Sequence, residues 1–172
     1  RPGYSWHELY SYNSAGIRSA REYPKEKPSD TLRIAVFGDS FTHGDEVRHS
    51  DTWSYRLERH LNEAGLRTEI LNFGVGGYGV DQSYLRWQEE GRHYRPDIVI
   101  LGLAVVDYIR HESIFRALLL HRLSPLPFTK PRYLMENNDL RLINFPAIGP
   151  SGIVTAFSDL SPASLSHQDR YA

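Results

Sequence analysis

Apolar and polar positions alternate in blocks along the chain, and the blocks change period. Leu32-Arg33-Ile34-Ala35-Val36-Phe37 is a short apolar run that stops at Gly38, which predicts a buried strand. From Asp51 to Ala64, Trp53, Leu57, Leu61 and Ala64 recur at steps of four, four and three. That spacing predicts one face of a helix, ended by Gly65. Glu69-Ile70-Leu71-Asn72-Phe73 predicts a second strand that runs into a glycine-rich turn. Val80 to Tyr94 reads as a helix with Val80, Tyr84 and Trp87 on one side, broken by Pro96. The run from Asp97 to Val106 predicts the strongest strand, and Ile109 to Leu123 a further helix.

Strand and helix thus alternate three times, the pattern of βαβ units on a parallel sheet. Continuously apolar strands fit a sheet covered on both faces. The expected organisation is an irregular lead-in over 1–30 that packs on the domain, an α/β core over 31–123, and a proline-rich segment over 124–172. The lead-in carries Pro2, Pro24 and Pro28, with Tyr4, Trp6, Tyr10, Tyr12 and Tyr23 as docking surface. The last segment carries Pro125, Pro127, Pro131, Pro146, Pro150 and Pro162. Within it, Arg132–Met135 and Leu140–Ile143 predict a hairpin turning through Asn137-Asn138-Asp139.

Composition narrows the function classes. The 172 residues include 20 basic and 21 acidic side chains, for a net charge of -1. That balance gives no field for nucleic acid or anionic lipid. No apolar run reaches the ~20 residues of a membrane span. The chain has no cysteine, which excludes disulfides, thiolate metal sites and cysteine nucleophiles. The histidines show no zinc-like spacing with a third ligand, so neither a metal nor a cofactor is expected.

Ligands of open α/β sheets sit beyond the carboxyl ends of the strands. Here those ends carry Gly38-Asp39-Ser40-Phe41-Thr42, then Asn72 to Gly79 with Gly74, Gly76, Gly77 and Gly79, then Val106-Asp107. Ser40 at a strand-to-helix turn reads either as a nucleophile flanked by backbone N–H donors or as an N-cap that satisfies the helix start. The glycine turn reads either as a nest of N–H groups or as a plain tight turn. It lacks the Gly-x-Gly-x-x-Gly spacing of a dinucleotide site.

In combination these blocks resemble the SGNH (GDSL) hydrolase superfamily, in particular bacterial members of undefined substrate. The resemblance rests on Asn13-Ser14-Ala15-Gly16-Ile17-Arg18, the Gly38 to Thr42 block, Asp51-Thr52-Trp53, Leu71 to Gln82 and Arg95 to Gly102, in that order. It implies a three-layer α/β/α flavodoxin-like fold with a parallel sheet, whose last strands are expected beyond Ala172. It implies a serine esterase with Ser40 as nucleophile and with the N–H groups of Ser40 and Gly77 in the oxyanion hole. Asp39, Thr42, His43 and Asp107 are expected around the pocket. The resemblance also implies a third oxyanion donor, an asparagine, at the position that Val106 occupies, and a base in an Asp-x-x-His block that the chain does not contain.

Valine donates no hydrogen bond, and a serine without a base is a poor nucleophile. Three functions follow from the resemblance: hydrolysis of a small acyl ester, an acetylated carbohydrate among them; a catalytically impaired binding protein; or an acyltransferase. The partner is in each case a small-molecule or carbohydrate ester, not nucleic acid. An extracytoplasmic location fits the resemblance, with any anchor ahead of Arg1. His43 lies three residues after Ser40, and Glu46-x-x-His49 and Glu90-x-x-His93 have acid-x-x-histidine spacing; His167 has Ser164 in the acid's place. All four read first as ordinary histidines. Arg110 reads as an ion-pair partner of Asp107 or of the lead-in rather than as a binder of an anionic substrate group, and Trp53 and Trp87 read as core rather than sugar platforms.

Overall fold

The computed structural model describes residues 3–5, 9–115, 129–149, 152 and 155. It divides into two compact units, residues 1–78 with 83–104, and residues 79–82 with 105–172.

The first unit is a mixed α/β structure. Its elements are β1 (Gly3–Ser5), β2 (Tyr10–Tyr12), β3 (Leu32–Gly38), α1 (Ser40–His43), α2 (Trp53–Glu63), β4 (Thr68–Asn72), the greater part of α3 (Val80–Glu89) and β5 (Ile98–Gly102). Strands β4, β3 and β5 form a parallel sheet in that order, with Ile34 opposite Ile70 on one side and Ile98 on the other. Side chains alternate across the central strand as the two-residue period of a strand demands. Ile34 and Val36 join Ile70 and meet Leu57 and Leu61 of α2. Ala35 and Phe37 face the other way and join Leu71, Phe73, Tyr94 and Trp87 of α3. Ile17 and Tyr23 of the lead-in belong to this second cluster. The β3–β4 part of the sheet is therefore covered on both faces, with the lead-in as part of one cover, whereas Ile98, Val99 and Leu101 of β5 are exposed.

The lead-in is more ordered than its composition suggests. β1 and β2 pair antiparallel, Gly3 opposite Tyr12. The Asn13 to Arg18 block forms a tight turn: Asn13 Oδ1 accepts from the N–H groups of Ala15 and Ile17, and Gly16 takes φ 70. A side chain at Gly16 would strain that left-handed backbone.

Three predicted boundaries shift. The strand predicted over Asp97 to Val106 covers only Ile98–Gly102, and Val105 and Val106 open a helix, α4 (Val105–His111). A continuous apolar run cannot by periodicity alone separate a buried strand from the start of a helix. The helix predicted to Tyr94 ends at Glu89 and is followed by a 3-10 turn over Gly91–Tyr94. The helix predicted over Ile109 to Leu123 stops at His111, Phe115 forms an isolated antiparallel bridge with Thr129, and the part beyond Phe115 lies outside the described residues.

The second unit contains α4, the hairpin strands β6 (Arg132–Glu136) and β7 (Asp139–Ile143), and a small core of Ile114, Phe115, Ile143 and Leu134. The hairpin turns at Asn137 and Asn138, with φ 51 and 71. Two consecutive left-handed residues make the turn that matches strand twist, and asparagine tolerates it best after glycine. Among the described residues no helix is long and apolar enough to cross a membrane.

Candidate active site

The site is built at the carboxyl end of β3. The chain leaves the strand at Gly38 with φ 150, where a Cβ would run into the Thr42 hydroxyl and lie 2.5 Å from the Gly102 carbonyl oxygen. Asp39 then caps the single turn of α1: its Oδ1 accepts from the Phe41 N–H at 3.0 Å. Sequence left Ser40 open as the cap, but the structure gives that role to Asp39. Ser40 is the first helical residue and half-buried, and its hydroxyl makes no hydrogen bond to the described residues. Its carbonyl accepts from Gly44 and Asp45 N–H at 2.8 and 3.0 Å, which bends the chain back toward it.

Behind α1 runs the glycine turn. Phe73 N–H donates to Val36 O and Val75 N–H to Gly38 O, which zips the turn onto the end of β3. Gly74 lies against the backbone of Thr42 and His43, and a Cβ there would stand 2.8 Å from the Thr42 carbonyl carbon. A Cβ on Gly76 would meet Asp45 Oδ2 at 2.9 Å. Gly77 takes φ 84 and is half-buried. Asn72, absent from the expected site, is the strut of this corner. Its buried amide donates to Thr42 O at 2.8 Å and Ser54 Oγ at 2.9 Å, and its Oδ1 accepts from Gly74 N–H. One side chain thus joins β4, α1 and α2. A strand-terminal asparagine that precedes a glycine turn is the only sequence signal for it.

His43 is 4% exposed, with both ring nitrogens engaged. Nδ1 is 2.5 Å from Asp45 Oδ1 and Nε2 is 2.6 Å from the Tyr12 hydroxyl. A carboxylate only accepts, so the proton sits on Nδ1 and Nε2 accepts from Tyr12. Burial, with the Arg18 guanidinium next in weight, pulls the His43 pKa below its usual value, against the pull of Asp45. His49 is lowered for the same first reason, burial, and then by Arg18 and Arg21. A histidine whose folded pKa is depressed refuses a proton that the unfolded chain accepts. Stability therefore falls as pH drops below the unfolded value of about 6.5. Urea unfolding between pH 7.5 and pH 5 checks this: the midpoint should fall with acidification, and less steeply in His43→Gln. An equal fall in both proteins would assign the loss elsewhere.

The Asn13 to Arg18 block acts on this site from below. Arg18 is 1% exposed and donates to Gly44 O at 3.1 Å and Val47 O at 2.6 Å. Its guanidinium lies 4.3 Å from the centre of the Tyr10 ring, and the Tyr10 hydroxyl accepts from the Glu46 N–H at 2.7 Å. The lead-in thereby holds the loop that follows α1. Next to Ser40 that loop walls a cavity of about 470 Å³, together with Phe41, Asp51, Thr52 and Trp53. Trp53, expected in the core, is 37% exposed and lines this cavity. Trp87 does pack against the core, 5.8 Å from the Phe37 ring centre.

Asp107 and Val106 belong to the second unit. Asp107 is 2% exposed and its Oδ1 accepts from Arg110 Nη1 at 2.9 Å, the expected ion pair. Val106 is 36% exposed in the first turn of α4. His93 is exposed in the 3-10 turn after α3, and His167 lies outside the described residues. Among the described residues, no three histidine, aspartate or glutamate side chains gather where a metal ion could sit.

The model of the GDSL-like lipase/acylhydrolase family matches residues 36–126, just over half of the chain. The chain belongs to the GDSL-like lipase/acylhydrolase family. The matched stretch begins inside β3 and contains Ser40, the glycine turn and the Val106-Asp107 pair. No curated protein sequence matches the chain. Among solved structures, AlinE4, described as an SGNH-hydrolase family esterase, is 24% identical over 49% of this chain and 46% of that one, with a TM-score of 0.43. TesA is 22% identical over 45% of this chain and 43% of that one, with a TM-score of 0.42. The chain thus spans under half the length of these two structures.

Proposed function

We propose that this GDSL-like protein hydrolyses esters of small acyl groups, with Ser40 as the nucleophile. The observation that carries the reading is the division of labour at α1. Asp39 takes the capping duty that a serine at a helix start usually performs. The Ser40 hydroxyl is left uncommitted among the described residues, at the edge of a cavity of about 470 Å³. In this reading Ser40 Oγ attacks the ester carbonyl, the alcohol leaves, and water later frees the acyl group from the serine. The Ser40 and Gly77 N–H groups would hold the oxyanion. Gly77 suits that role because its left-handed backbone turns the chain at a point where no side chain intervenes.

His43 spends both ring nitrogens within the fold, so the base is proposed to be a histidine other than His43. An acetylated carbohydrate is one ester that fits a small acyl group. Val106 favours a second reading, a binding protein of reduced activity, since a valine side chain offers no third oxyanion donor.

Hydrolysis of p-nitrophenyl acetate by the full-length protein and by Val106→Asn separates the two. An esterase turns over the wild type, and the restored donor raises kcat by roughly 100-fold. No turnover in either protein would favour the binding role.

A further inference from the structure

The cavity beside Ser40 has a lining with a definite chemical bias. Two aromatic rings flank it, Phe41 at 74% and Trp53 at 37% exposure. Its charged groups are all carboxylates: Asp45, Glu46 and Asp51. Asp51 is offset by Arg56, whose Nη2 lies 2.9 Å away at the surface. Asp45 is hydrogen-bonded to His43 Nδ1 and feels the Arg18 charge, so Glu46 is the lining carboxylate that makes no ion pair with the described residues. Arg18 donates to the Gly44 and Val47 carbonyls and is not itself among the lining residues.

The position of Glu46 is fixed with unusual care. It is a non-glycine residue at φ 67, a conformation that costs about 1 kcal/mol or more for an ordinary side chain. It is held there at three points, by the Tyr10 hydroxyl on its own N–H and by Arg18 on the carbonyls of Gly44 and Val47. A buried arginine and one lead-in tyrosine thus hold Glu46, an exposed carboxylate, in the lining of the cavity beside Ser40.

Donors are scarce in the same lining. The Thr52 hydroxyl is buried, donates to His49 O at 2.8 Å and accepts from Tyr55 N–H. Among the lining side chains that leaves the Ser40 hydroxyl and the Trp53 indole N–H. A neutral polyol needs donors and acceptors in comparable number, whereas an ammonium group needs acceptors, negative charge and aromatic faces. An anionic group would be repelled.

We infer that this cavity binds the alcohol part of the ester and selects one that bears a quaternary or primary ammonium group, with Glu46 and Trp53 as the specificity-determining residues. The inference rests on the esterase reading only for the word ester; the cation site itself does not need turnover.

The test uses the full-length protein and an isosteric pair, acetylcholine and its neutral carbon analogue 3,3-dimethylbutyl acetate. The wild type is expected to favour the charged ester in kcat/KM by about tenfold or more, a preference that shrinks as salt is raised. Glu46→Gln, which keeps shape and fold, should lower that ratio about tenfold, and Trp53→Leu should lower it as well. In parallel, choline binding to Ser40→Ala is measured by titration calorimetry, where Glu46→Gln in the same background should weaken it severalfold. Hydrolysis of both esters at equal rates would overturn the inference and leave the esterase reading standing. Choline binding that Glu46→Gln weakens, without hydrolysis in the wild type, would support the cation site and overturn the esterase reading. Neither preference nor binding would overturn the inference.

Discussion

Ser40→Ala is expected to abolish ester hydrolysis, with kcat/KM down by roughly 10⁴-fold or more, while the fold is untouched. In the proposed covalent mechanism the substitution removes the nucleophile, which would forfeit about 5 kcal/mol or more of transition-state stabilisation. The selectivity for activity over stability follows from the structure. The Ser40 hydroxyl makes no hydrogen bond to the described residues, the residue is only half-buried, and the capping bond belongs to Asp39. Alanine keeps the backbone N–H and the carbonyl that Gly44 and Asp45 bond to. The comparison is made on p-nitrophenyl acetate, with the unfolding midpoint of each protein as control. Activity that survives the substitution would remove Ser40 from the mechanism. A large drop in the midpoint would instead make Ser40 a structural residue.

The largest effect on stability is expected from Gly74→Ala. The new methyl group would collide with the His43 amide nitrogen and sit 2.8 and 2.9 Å from the Thr42 carbonyl carbon and His43 Cα. These are backbone atoms of α1, so no side-chain rotation relieves the clash. Either the glycine turn or α1 must move, and Asn72 ties both to β4. The cost is about 3 kcal/mol, the upper end of the overpacking range, or roughly 6 to 12 °C in Tm for a chain of this size. Activity should fall as well, because α1 carries Ser40. Gly65→Ala is the control: Gly65 has φ 86 but nothing within 4 Å of a Cβ. Its substitution carries only the left-handed penalty of about 1 to 2 kcal/mol. Thermal unfolding of both variants decides the matter, and a Gly74→Ala Tm no lower than that of Gly65→Ala would show that α1 does not depend on this contact.

Much of this was legible in the sequence because two periods carry it. The two-residue alternation hidden inside the apolar run from Leu32 to Phe37 places Ile34 and Val36 against α2, and Ala35 and Phe37 against α3 and the lead-in. The four-residue steps to Leu57 and Leu61 set the packing face of α2. The same steps misplace Trp53. It opens the helix, one residue past its Thr52 cap, where the face has already turned off the sheet and onto the cavity. The strand predicted through Val106 fails for a related reason, since apolarity continues past Gly102 while the backbone changes form at Val105.

The site was legible as residue types at strand ends and not as a network. Local spacing draws attention to His43 as a neighbour of Ser40. What spacing cannot show is that Tyr12, 31 positions earlier, closes off its Nε2. The roles of Asn72 and Arg18 are equally hidden, since each acts through backbone carbonyls that every sequence possesses. Glu46 carries no local signal either: its left-handed backbone is imposed from Tyr10 and Arg18 rather than chosen by its own side chain.

The central claim is that Ser40 is an uncommitted, reactive nucleophile, and covalent labelling reads it directly. The full-length protein is treated with a fluorophosphonate, which phosphonylates an activated serine, and the modified peptide is mapped by mass spectrometry. The account predicts stoichiometric modification at Ser40, loss of ester hydrolysis in step with it, and no modification in Ser40→Ala. Hydrolysis that continues with Ser40 unmodified, or a label carried by another residue, would contradict it.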